Sequence, residues 1–273
     1  MARQGDYILM NLPKAGLAPD EVVQWARLSR DAHAFIFGDD GGHYTVTKDE
    51  HRVVDAEQPF PDLPYLRVML DCLLVSGGFL APPEALYALD WGLALPDLQQ
   101  MGYQGLLFIE KSRQIMASWL CCAYILWRAK FHAHQLCLVQ SKKEEDAAKF
   151  VYIKEPQQAR ISFIESRLPE WLSDGMFYRS EHTIGRGVSR RSNRCEYCHL
   201  WFQNGSHIWA VPQGGDVVRS NTPSVLFSDE AGFQPDFGLA YQACLPAIRG
   251  GGQGIFVSSA EISDFSTLIE ADV

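Results

Sequence analysis

The sequence predicts an α/β fold with a mainly parallel central sheet flanked by helices, preceded by a small N-terminal helical appendage. Three observations carry this. From about residue 105 onward, short apolar runs of strand length alternate with longer helical patterns. The short runs are apolar almost throughout, as strands covered on both faces are. Several of them end abruptly in polar residues, and open parallel sheets bind ligands at the carboxyl ends of their strands.

Bulk properties bound the function. The chain has 273 residues, 47% hydrophobic and 21% charged, which suits one large domain with a small appendage. Residues 1–60 are expected to form the appendage and residues 61–273 the main domain. A net charge of -9 argues against a protein living by non-specific DNA affinity, though a local basic patch remains compatible with it. The first residues, "MARQGDYILM", lack the layout of a signal peptide, and the longest apolar stretch (119–127) is too short to span a bilayer. A soluble, intracellular protein without a membrane partner is expected. Seven cysteines, two of them adjacent in an apolar helix, read as buried free thiols rather than a disulfide framework. Cys195 and Cys198 form a CxxC with His199 beside it, but two thiols and a histidine do not close a tetrahedral zinc site. No metal is expected there.

In order along the chain, "APDEVVQWARLSRDAHAFIF" has helical periodicity after a start at Asp20, and "FGDDGGHY" breaks it. The Pro-rich "EQPFPDLPYLRVMLDCLL" leads into another helix. "GLLFIE" is a buried strand, "ASWLCCAYILWRAKF" a helix apolar on most sides, and "HQLCLVQ" a second strand. "SKKEEDAAKF" opens a helix with a capping box of Ser141 and Glu144. "HLWFQNGSHIWAV" reads as a hairpin, with Asn204-Gly205 favouring a type I′ turn. "SVLFSDEAGF" and "GIFVSSAE" are two further buried strands.

The strand–turn–helix over residues 105–127 has the layout of a phosphate-binding loop. Such a loop presents backbone N–H groups at a helix N-terminus, with a cation for the phosphates and a hydroxyl for Mg²⁺. Ser118 stands where the hydroxyl belongs. Met116 and Ala117 stand where GxxxxGK[ST] has its second glycine and lysine. A cation lies instead at the front of the loop, in Lys111 and Arg113. From this segment alone the two read either as phosphate ligands or as solvated turn residues. "VLFSDEA" places Asp229 and Glu230 at a strand end, where the first can hold Mg²⁺ and the second can deprotonate an attacking water. Ser258 and Ser259 end the last strand, where they can sense a phosphate or merely cap the strand. Arg219 sits in a polar loop, "GGDVVRSNTP", either solvated or free to act as an arginine finger. Arg186, Arg190, Arg191 and Arg194 crowd one loop before the hairpin, as a contact for DNA or a partner or as a solvated loop.

The succession "EKSRQIMAS", "NGSHIWAVPQGGDVVRS", "VLFSDEAGF" and "FVSSAE" resembles the ATPase domain of the large terminase subunit, the DNA-packaging motor of tailed bacteriophages. The resemblance covers residues 104–261. Some terminases carry a deviant Walker A motif with its lysine at the start of the loop, a pattern that Lys111 with Ala117 fits. The resemblance implies a P-loop (ASCE-type) ATPase using ATP and Mg²⁺. Lys111, Ser112, Arg113, Gln114 and Ser118 would form the phosphate loop, with Ser118 and Asp229 on Mg²⁺. Glu230 would be the catalytic carboxylate, Ser258, Ser259 and Ala260 the coupling motif, and Arg219 a finger offered to a neighbouring subunit. Phe60 or Tyr65 would meet the adenine, although the glutamine expected in that region is absent. The implied partners are double-stranded DNA, a portal protein, a small terminase subunit and further copies in a ring, in the host cytoplasm. A C-terminal nuclease domain, usual in large terminases, has no room before Val273, so an ATPase-domain fragment is expected. The alternatives are another P-loop ATPase, such as a helicase motor domain, and a nucleotide-binding assembly module that hydrolyses nothing.

Overall fold

The computed structural model describes residues 16–40, 42–48, 57–112, 115–152, 159–173, 178–179, 198–259 and 264–270. In chain order these form α1 (Pro19–Leu28), α2 (Ala32–Phe37), β1 (Val46–Lys48), β2 (Glu57–Pro59), α3 (Pro64–Ser76), α4 (Leu86–Trp91) and α5 (Leu95–Gln104). Then follow β3 (Leu106–Lys111), α6 (Ala117–Phe131), β4 (Leu136–Gln140), α7 (Glu144–Val151), α8 (Arg160–Glu165), β5 (Tyr178–Arg179), β6 (His199–Trp201) and β7 (His207–Val211). The remainder is α9 (Asp216–Ser220), β8 (Val225–Asp229), α10 (Phe237–Arg249), β9 (Gln253–Ser259) and α11 (Asp264–Glu270).

The central sheet has seven strands in the order β3-β9-β8-β4-β7-β6-β5. The first five run parallel to one another; β6 and β5 extend the sheet through antiparallel pairings. Apolar clusters lie on both faces. One gathers α1–α3, α6, α7 and α8; the other gathers α9, α10 and α11. This is the expected α/β architecture, a mainly parallel sheet between helical layers.

Helix α6 organises the larger face. All of its residues except Ser118 are buried, which follows from apolar side chains on every side. Trp127 donates its indole N–H to Leu28 O at 2.9 Å, and Phe131 meets Trp25 and Phe35 edge to face. The N-terminal helices thereby share the core of the sheet. Gly105 closes α5 in the left-handed conformation (φ 67°) and turns the chain into β3. A Cβ there would lie 2.8 Å from Gly252 O, so only glycine lets the two backbones meet.

Local expectations fared unevenly. The N-terminal helical stretch is two helices, because Asp31 breaks it and caps α2 by accepting from Ala34 N at 2.9 Å. The expected capping box is not formed: α7 starts at Glu144 with Lys143 as its N-cap. Ser141 is instead buried directly after β4, and Glu144, Glu145 and Asp146 complement the helix dipole. The hairpin turn is not type I′. Gly205 N donates to Phe202 O, and Gly205 has positive φ (78°) while Asn204 does not. That is a three-residue turn closed by a left-handed glycine.

Candidate active site

Strands β3 and β8 lie on either side of β9, so the end of the candidate phosphate loop and the acidic strand end are one strand apart. Lys111 is level with Ser259, and Asp229 with Val257. The chain leaves β3 at Lys111, turns, and re-enters the fold as α6, whose first turn carries Ser118. The hydroxyl of Ser118 donates to Asp229 Oδ1 at 2.7 Å, joining two residues 111 positions apart. Lys111 Nζ stands 3.6 Å from Glu230 Oε1. Four residues from two separate motifs thus meet at one sheet edge.

Burial gives this cluster its electrostatics. Asp229 is buried, which raises its carboxyl above the ordinary range; the Ser118 hydrogen bond and the charge of Lys111 counteract this, Glu230 adds to it, and Arg160 opposes it. A buried carboxylate beside a hydroxyl oxygen suits a hard divalent cation, which takes oxygen ligands and offsets the cost of burying the charge. Ser118 and Asp229 therefore fit Mg²⁺.

The backbone carries strain at the same place. Among the described residues three non-glycines have positive φ, and two of them, Met116 (φ 59°) and Glu230 (φ 52°), flank this cluster. Met116 occupies the position of the second loop glycine. The residue is not glycine, yet the left-handed geometry that glycine would supply is present. Glu230 turns the chain out of β8. Its turn is fastened from behind: Gln234 Nε2 donates to Ser228 Oγ and to Asp229 O, both at 2.9 Å.

Ser258 is buried, accepts from Gly232 N at 3.0 Å, and donates to Ser259 O at 3.0 Å. Its hydroxyl is committed to the acidic turn, so it links β9 to the segment after Glu230. Ser259 is half-buried at the strand end and Ser112 is exposed beside Lys111. Arg219 does not lie in an open loop: it belongs to α9, with Nη1 3.2 Å from Asp216 Oδ1. The two glycines before it read as a loop, but Gly215 is the N-cap of a five-residue helix. Both side chains remain exposed, so the pair contributes little. Phe60 is 1% exposed and stacks edge to face on Phe37, so it belongs to the core and offers no free adenine contact. Tyr65 is half-buried against the same cluster. Arg113, Gln114, Ala260, Cys195 and the arginines at 186, 190, 191 and 194 lie outside the described residues. Cys198 is buried and donates its thiol to Tyr152 O. Cys121 and Cys122 are buried and free, and burial pushes the Cys122 thiol up to about 12.

Two residues near the site carried no sequence signal. Arg160 opens α8, its guanidinium 4.7 Å from the Phe150 ring centroid and 5.6 Å from that of Trp119, and its charge reaches Asp229. Gln234 could have been suspected only from its place five residues after the aspartate.

No family model and no curated protein matches the chain. Among solved structures it is similar to the large terminase from the thermophilic bacteriophage D6E, with a TM-score of 0.36 and 15% identity. The similarity covers 69% of this chain and 38% of that one, so the chain spans well under half of that protein's length.

Proposed function

We propose that this chain binds ATP with Mg²⁺ and hydrolyses it, as the motor domain of a large terminase that drives double-stranded DNA into a procapsid. The observation that carries the ATPase reading is the 2.7 Å contact between Ser118 and Asp229. It unites a loop hydroxyl with a strand-end carboxylate, the two protein ligands a P-loop site needs for its cation. The terminase assignment rests on the sequence motifs.

In this reading Ser118 and Asp229 hold Mg²⁺, which when bound neutralises charge on the phosphate oxygens. Lys111 turns from Glu230 to the β/γ-phosphates, supplying from the front of the loop the charge that Ala117 cannot. Parting that 3.6 Å pair frees the Glu230 carboxylate to orient a water and accept its proton. Gln234 and Ser258 keep the acidic turn in place while this happens. The link from Ser258 to Gly232 gives a route by which a change at the acidic turn reaches β9. Arg219, exposed on α9, is the finger offered to the next subunit of a ring. Portal protein and small terminase subunit are the proposed partners, in the host cytoplasm.

Phosphate release by the purified chain tests the enzymatic part. Glu230→Gln is expected to keep ATP binding while turnover falls by roughly 10²–10⁴. Lys111→Ala is expected to lose ATP binding with the fold intact. Binding without turnover in the parent would make this a nucleotide-binding module, and no ATP binding at all would sink the reading.

A further inference from the structure

The opposite end of the sheet holds a second buried charge, and its surroundings differ in kind. Arg128, in the last turns of α6, is 1% exposed. A guanidinium has five N–H donors. Its Nε donates to Gln135 Oε1 at 2.8 Å and its Nη1 to Gln253 Oε1 at 2.7 Å, with the ring of Phe79 4.9 Å from Cζ. The Tyr124 hydroxyl also hydrogen-bonds to the guanidinium, but no carboxylate meets it among the described residues. Gln253 cannot compensate the charge. Its Oε1 is shared with the hydroxyl of Tyr124, and its Nε2 is bound to Leu73 O and Ser76 Oγ. A buried cation held only by neutral oxygens still carries a desolvation cost that an anion would offset.

Arg128 lines a cavity of about 160 Å³ with Gln135, Thr222, Ser224, Ala247 and the glycines at 250–252. Ser224 Oγ accepts from Leu136 N at 3.2 Å, which leaves its O–H free to donate. Thr222 is exposed at the rim. In the glycine wall Gly252 is obligatory: a Cβ there would lie 2.8 Å from Pro223 O and 2.9 Å from Ala247 O.

We infer that this cavity is a binding site for a small tetrahedral oxyanion of the phosphate class, held by Arg128, Ser224 and Thr222. The guanidinium supplies the missing charge complement, and the two hydroxyls supply donors from other directions. The volume admits an ion of a few water volumes but lies below the roughly 300–1,000 Å³ of sites for drug-sized ligands, so a whole nucleotide is too large. A duplex backbone cannot bring its phosphates to so recessed a guanidinium. The site does not depend on the nucleotide reading, because Gln135, Ser224 and Gly252 directly precede β4, β8 and β9, at the end of the sheet away from Asp229.

Calorimetric titration of the whole chain with inorganic phosphate tests this. Saturable binding is expected, matched by sulfate but not by acetate. Thr222→Glu is the decisive variant: it places a carboxylate at the exposed rim, where it should abolish phosphate binding and raise the thermal midpoint in phosphate-free buffer. Arg128→Gln should also abolish binding, provided that the variant folds. Lys111→Ala, which alters only the other end, should keep the phosphate binding that Thr222→Glu loses. The inference is overturned if the parent shows no saturable binding or if Thr222→Glu binds phosphate unchanged. It is overturned equally if Lys111→Ala alone abolishes binding, or if a short duplex without terminal phosphates displaces the ion.

Discussion

The two ends of α6 hold buried charge of opposite sign and treat it differently. At the N-terminal end Ser118 touches Asp229, and the acidic pair is matched against Lys111 and the more distant Arg160. At the C-terminal end no acid meets Arg128 among the described residues, and its charge, after burial, helps to hold His132 down at about 4. The first end carries left-handed backbone at Met116 and Glu230. The second has one left-handed residue too, His134 (φ 58°) before Gln135, but is built as a network of amides and hydroxyls, where Gln253 alone joins Tyr124, Arg128, Leu73 and Ser76. Buried polar groups near one helix thus serve opposite purposes. The bonded amide of Gln253 fixes the fold, whereas the buried charges of Asp229 and Arg128 are left for a ligand to match.

Breaking the bonded network should have the largest effect. Gln253→Leu removes the acceptor of both Tyr124 and Arg128 and the donor to Leu73 O, leaving buried groups unsatisfied. A loss of about 3 kcal/mol is expected in denaturant unfolding, at the upper end for one residue because a charged group is among those stranded. A change under about 1 kcal/mol would mean that water replaces the amide and that the network does not fix this end.

Removing charge at the other end should act with the opposite sign. Burial raises the Asp229 carboxyl above its ordinary value, so the folded state holds its proton more tightly than the unfolded chain. The stability cost is therefore fully present once pH exceeds the folded value, and it vanishes below about 3.8, where both states are protonated. Without Mg²⁺ or nucleotide, Asp229→Asn should be more stable than the parent at pH 7. The gap should narrow as pH falls toward the ordinary carboxylate range. Thermal melts of both proteins across that range check it. An Asn variant that is less stable at pH 7 would show that the carboxylate is already well compensated.

The same contrast separates what the sequence made legible from what it hid. Helix α6 begins and ends where its apolar letters do, since a segment buried on all sides has no alternative register with solvent. Asp229 and Glu230 were legible because charge directly after a buried strand is costly anywhere but at a sheet edge. Distance hid the rest. Asn204 and Gly205 looked like a tight turn, but Asn204 Nδ2 is spent on Ala129 O and Lys130 O, carbonyls at the end of α6. That tertiary use outweighs the local turn preference. Gln253 bonds to residues 177 and 180 positions away, and no local pattern announces such a partner. Arg219 was misplaced into a loop because two glycines mask a short helix that Asp216 begins.

The smallest expected effect concerns Met116, where sequence and conformation disagree. A left-handed backbone costs an L-residue roughly 1–2 kcal/mol, and glycine avoids this while losing about 0.5–1 kcal/mol through its freer unfolded chain. Met116 also packs part of its side chain against the main core cluster, and either small variant gives up that packing. Met116→Gly should therefore lie within about 1 kcal/mol of the parent, because the relief of strain and the losses nearly cancel. Met116→Ala keeps the strain and removes the same side chain, so it should be less stable than the glycine variant by about 1 kcal/mol. The comparison of the two variants isolates the backbone from the packing. Equal stabilities, or an alanine variant above the glycine one, would mean that residue 116 is not held left-handed. The loop would then lack the turn on which the phosphate-binding reading of Ser118 and Lys111 depends.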